Sequence, residues 1–121
     1  MSQTIDVVNV PAQTTDATTQ DLLNYEVPPL SMLLVDVEVV AYRNQTNRAY
    51  WKIHAVGSRA GGAASALGAP TEERKRNDAG ASGWTAQILL VGNAIVVRIG
   101  GQASTTIDWL VTARITINTP E

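Results

Sequence analysis

The 121-residue sequence predicts an all-β fold, an antiparallel β-sandwich of jelly-roll-like type with about seven or eight strands, and three observations predict it. Apolar and polar residues alternate with a period of two from Ser31 to Arg43, from Arg48 to Ala55 and from Thr106 to Ile117. β-Branched residues dominate those segments, and no window holds a 3.6-residue period over three turns. Gly92-Asn93 lies between two apolar arms, at the place where a two-residue hairpin needs residues that tolerate positive φ.

Taken in order, residues 1–30 read as an extended N-terminal arm with possible short strands, and residues 31–121 as the sandwich domain. Ile5, Val7 and Val8 suit a short first strand, while VPAQTTDATTQ has no apolar period and reads as an extended connection. DLLNYEV, residues 21–27, suits a short strand or a docked turn, and Pro28-Pro29 ends any ladder because neither residue has a backbone donor. From Ser31 to Arg43, Leu33, Val35, Val37, Val39 and Ala41 share one parity, which predicts a long strand. NQTN is turn chemistry, and Ala49, Trp51, Ile53 and Ala55 return on the second arm of a hairpin. Residues 60–70 are small and read as a loop or weak strand, and TEERKRND follows as an exposed charged segment. Trp84, Ala86, Ile88 and Leu90 face Ile95, Val97 and Ile99 across Gly92-Asn93, and after Gly100-Gly101 the alternation from Ile107 to Ile117 predicts a long closing strand. The same parity turns Trp51, Trp84 and Trp109 into the core.

Composition narrows the classes of function. With 45% hydrophobic and 17% charged residues the chain is globular and sparing in charge. A net charge of -2 supplies no sequence-wide basic field, so nucleic acid is not an expected partner. There is no cysteine, hence no disulfide framework and no thiolate nucleophile or ligand. No segment approaches the roughly 20 apolar residues of a membrane span, the start lacks a secretory pattern, and synthesis and folding in a cytoplasm are expected, with no membrane partner. Asn44-Gln45-Thr46 matches a glycosylation sequon, but without a secretory route it reads as a polar turn.

The outward parity carries more hydrophobicity than an isolated sandwich needs. Leu34, Val40, Tyr42, Tyr50, Val56, Leu89, Val91, Val96 and Leu110 occupy positions that would otherwise favour Thr, Lys, Glu or Ser. They predict a subunit or partner interface; coverage by loops or by the arm within one subunit is the competing explanation.

Chemistry-bearing constellations are few. His54 is the single histidine, on an outward position two residues from Lys52, with no G-x-S-x-G elbow in the chain, and it reads as a surface or interface residue. Asp36 and Glu38 share a strand face at a spacing that a paired-carboxylate glycosidase could use, yet two charges that keep a sheet face wet explain them as well. No spaced His pair, Cys-x-x-Cys or calcium loop is present, and neither glycine pair opens a phosphate-binding helix, so no catalytic residue, metal or cofactor is expected. The run Glu72, Glu73, Arg74, Lys75, Arg76, Asp78 nearly cancels in sign, as a solvated loop or an ion-paired contact would.

One resemblance adds a biological setting. Ala41 and Arg43, Trp51, the Asp78-Ala79-Gly80 element with Trp84, Gly92-Asn93, Val97, Arg98 and Gly100, and Thr106, Ile107 and Trp109 follow one another as in a small β-sandwich module of tailed-bacteriophage virion proteins, which residues 31–117 resemble. The resemblance implies a non-enzymatic structural protein of the virus particle, commonly a homotrimer. A module that makes up nearly the whole chain, preceded by an arm, is similar to a capsid decoration, or cement, protein bound to the major capsid protein on the outer capsid surface. In that reading Ile5, Val7, Val8, Leu22, Leu23 and Tyr25 are the arm's capsid contacts. The alternatives are a tail-associated or fibre protein involved in host receptor binding, and an unrelated carbohydrate-binding module or enzyme subunit.

Overall fold

The computed structural model describes residues 2–119, and among them nine strands run in the order β1 (Ser2–Thr14), β2 (Thr19–Glu26), β3 (Ser31–Asn44), β4 (Asn47–Arg59), β5 (Ala64–Ala66), β6 (Thr71–Asn77), β7 (Thr85–Val91), β8 (Ala94–Gly100) and β9 (Ile107–Thr119). All pair antiparallel, in two sheets: a six-stranded sheet ordered β1-β9-β3-β4-β5 with β6 also on β4, and a three-stranded sheet ordered β2-β8-β7. The fold is therefore an all-β sandwich, with nine strands where the periodicity predicts seven or eight.

The core follows from the alternation. Leu33, Val35, Val37 and Val39 of β3 and Val111, Ala113 and Ile115 of β9 are fully buried and belong to one cluster with Ile95, Val97 and Ile99 of β8. At one end of this cluster Trp51 and Trp109 stack at 5.8 Å between ring centroids, and Trp84 tilts against Trp109 at 6.2 Å. Indole N–H groups need partners when buried. Trp109 donates to the Thr14 hydroxyl at 2.8 Å, and Trp84 to the Gln102 side chain at 3.0 Å. Ala41 is the cross-strand neighbour of Trp109 and of Ala49, so two small side chains leave room beside the rings.

Two expectations from the sequence need correction. Residues 1–30 are not an arm. β1 pairs with β9 without a register break from Ser2 to Thr14, and Val8, Val10 and Ala12 pack on the core. The strand was obscured because its inward set contains Thr4, Asp6 and Thr14, and because Pro11 interrupts it. Proline is tolerated on an edge strand where its missing donor would face solvent. β2 likewise contributes the buried Leu23, and Tyr25 donates to Asp6 at 2.5 Å, linking the two sheets along one side.

The charged run is the other correction, because TEERKRN forms β6 and not a loop. All seven of its residues are exposed, so the run has no buried set to betray its period. It is held by backbone pairing to β4 and by Lys75, whose ammonium lies 5.9 Å from the centroid of the Trp51 ring. A cation over an indole face is attracted by the ring quadrupole, so Lys75 adds to the backbone pairing that holds β6.

The motifs of the resemblance have structural explanations. Asp78 follows β6, accepts from Arg48 at 2.8 Å and 3.2 Å, and opens a single 3-10 turn, Ala79–Ala81, that leads to Trp84. A Cβ on Gly80 would lie 1.9 Å from the Asn47 side-chain oxygen, so glycine permits the close approach of that turn to the β3–β4 hairpin. Gly92 takes φ of 60° while Asn93 does not adopt positive φ, the pattern of a type II′ turn. Asn93 also accepts from the Ala64 amide through its side chain and from the Val27 amide through its carbonyl, tying β5 and the end of β2 to the hairpin.

Candidate functional site

Because β1, β9, β3 and β4 pair in continuous register, their outward side chains line up in rows across the six-stranded sheet. One row is Pro11, Leu110, Val40 and Tyr50, and another is Ile5, Thr116, Leu34 and Val56. At about 3.3 Å per residue the two rows stand about 20 Å apart. Between them run Val7, Arg114, Asp36 and His54, then Asn9, Thr112, Glu38 and Lys52. Tyr42 and Met32 extend the face at its two ends. Ile5, Val7, Met32, Leu34, Val40, Tyr42 and Leu110 are all exposed here, whereas exposed large apolar side chains elsewhere are Leu30, Leu67 and Val91. A soluble surface scatters its exposed apolar residues; this one collects them on a single face.

The charges between the apolar rows are largely compensated. The His54 ring bonds Glu73, which also lies 3.6 Å from the Lys52 ammonium, and Tyr50 donates to Glu38 at 3.4 Å. The hydrogen bond from His54 holds the Glu73 carboxyl below its ordinary range, with Lys52 assisting and burial opposing. Arg48 depresses Asp78 in the same way at the margin of the face. Asp36, Glu38, Lys52, Thr112 and Arg114 line a shallow depression of about 260 Å³. Asp36 and Glu38 thus stand in register with cationic neighbours on an open sheet surface, and among the described residues no group of three metal-ligating side chains occurs.

The residues assigned to an interface by parity divide between two sides of the molecule. Leu34, Val40, Tyr42, Tyr50, Val56 and Leu110 lie together on the large sheet, whereas Leu89, Val91 and Val96 belong to the small one. Val96 is 1% exposed and drops out altogether, because β8 is the central strand of its sheet and Val96 is flanked by Asn24 and Leu89. The residues assigned to a capsid-contact arm also separate. Leu23 is core, Val8, Leu22 and Tyr25 pack against it, and only Ile5 and Val7 are exposed, on the same face as Leu34. Met32 was within reach of parity alone, whereas placing Ile5 and Val7 required knowing that β1 joins the sheet.

No family model matches the chain, and no curated protein matches it. Among solved structures it is similar to the tailspike protein of Acinetobacter baumannii phage AM24, with 12% identity and a TM-score of 0.42 over 94% of this chain and 26% of that one. It is also similar to the tailspike of Acinetobacter phage vB_ApiP_P1, with 15% identity and a TM-score of 0.34 over 91% of this chain and 21% of that one. The chain spans about a quarter of the length of these tailspikes, and overlaps at such scores carry no argument about its role.

Proposed function

We propose that this chain is a non-enzymatic structural protein of a tailed-bacteriophage virion, associated with the tail, and that it docks on another virion protein through the outer face of its six-stranded sheet. The observation that carries the docking is the gathering of Val40, Leu110, Leu34, Ile5 and Val7 on one side of the sandwich, around a band of charged side chains of both signs. The virion setting comes from the motif resemblance, whose Asp78, Gly80, Gly92 and tryptophan positions all serve the fold.

The tail is preferred to the capsid surface for a structural reason. Capsid decoration rested on a free arm able to reach neighbouring coat subunits, and residues 2–14 and 19–26 are strands within the two sheets. Without that arm the decoration reading loses the feature that favoured it. The names of the two solved tailspikes agree with the choice without carrying it.

Quantitative mass spectrometry of purified particles tests the proposal by giving the copy number relative to the major coat protein. A few copies per particle, enriched in isolated tails, is the expected result. A ratio comparable to the coat protein would overturn the tail assignment in favour of a lattice-wide role, and absence from particles would overturn the virion setting.

A further inference from the structure

The two sheets have open edges, and all but one are defended. Exposed edge strands offer unpaired backbone groups to other chains, and charge, short length, bulges or cover normally prevent this. β6 has five charged residues among seven, β5 is three residues long, and β2 carries Asp21 at a register break. The free side of β7 lies beside the preceding segment, where Pro70, Glu72 and Lys75 line depressions with Thr85, Ala86 and Gln87. β1 has none of these protections over most of its length: thirteen residues, no bulge, one charge at Asp6, and a proline only near its end.

Pro11 also fixes which backbone groups are free. Lacking an N–H, Pro11 cannot form a hydrogen-bonded pair with Leu110 through that group, so the odd-numbered residues of β1 turn their N–H and C=O groups away from β9. Gln3, Ile5, Val7 and Asn9 therefore present donors and acceptors along the open edge. The side chains at the middle of this edge are Ile5 and Val7, which are 50% and 62% exposed.

We propose that β1 pairs with β1 of a second copy, antiparallel about a two-fold axis through Val7, so that the six-stranded sheet continues across both copies. In this register Val7 meets its mate, Ile5 meets Asn9, and Asp6 lies opposite Val8. The neighbouring register centred on Asp6 would set two carboxylates directly opposite each other, an arrangement that destabilises a strand pair. Cross-strand burial of Val7 and Ile5 then supplies the apolar contact that each copy leaves open. The resemblance described above implies a homotrimer; the free edge implies a two-fold pair.

The test is the molar mass of the full chain by light scattering across a concentration series, for wild type and Val7→Pro. The Val7 amide makes no bond inside the subunit, so proline there deletes an intermolecular donor while leaving the β9 ladder intact. Twice the chain mass for wild type, and a single-chain mass with cooperative unfolding retained for Val7→Pro, is the expected result. A wild-type monomer at all concentrations, a trimer, or a dimer that survives Val7→Pro would overturn the proposal. If Val7→Pro fails to fold, amide exchange of wild type decides: slow exchange at Ile5, Val7 and Asn9 that becomes fast on dilution supports the pair, and fast exchange at all concentrations contradicts it.

Discussion

At the residue scale, the tryptophan cluster shows how a few side chains set one end of the sandwich. Trp109 stacks on Trp51, touches Trp84 and uses its indole N–H on Thr14, so it joins β4, β9, β1 and the entry to β7. Trp109→Ala is expected to cost about 3–5 kcal/mol by core truncation, read as a lower denaturant midpoint; an unchanged midpoint would contradict the packing described. Tyr25 offers a separate test on the opposite chemistry. Burial, then its hydrogen bond to Asp6, pushes the phenol up from 10.0 to about 12. The folded state therefore prefers the protonated phenol. The stability that this preference contributes is present below pH 10 and is lost as pH rises through 12. Wild type should exceed Tyr25→Phe by about 1 kcal/mol at pH 8, and the difference should vanish or reverse above pH 12, as measured by paired denaturant curves.

At the scale of elements, what was legible in the sequence depended on whether burial left a mark. β3, β4, β8 and β9 each bury most of one parity, built mainly on Val, Ile, Leu, Ala and Trp, and the alternation located them. β6 buries nothing, so its strand character came only from pairing with β4 and had no sequence signature. β1 falls between these cases. Its inward side is only partly apolar and its outward side carries Ile5 and Val7, so the two parities look alike and the segment reads as an arm. The consequence is testable. An arm could be removed without loss, whereas deleting residues 1–14 should abolish cooperative unfolding, because it strips β9 of its neighbour and Trp109 of the Thr14 hydroxyl. A truncated chain that melts cooperatively near the wild-type temperature would show that β1 is dispensable. Parity also located most of the outward apolar face, but it could not assign Leu89 and Val91 to the other side of the sandwich, since sheet membership is decided by contacts far apart in sequence.

For the whole molecule, the central claim is that the outer face of the six-stranded sheet is a docking surface for another virion protein. Val40 and Leu110 are direct cross-strand neighbours in one of its two apolar rows, both exposed. Replacing them together, Val40→Lys with Leu110→Glu, removes the apolar contact and puts opposite charges across the strand pair, so the isolated fold should change by less than about 1 kcal/mol. The decisive measurement is the amount of this folded double variant incorporated into particles when it replaces the wild-type chain during assembly. The account predicts loss of at least tenfold; incorporation at the wild-type level would contradict the claim that this face makes the attachment.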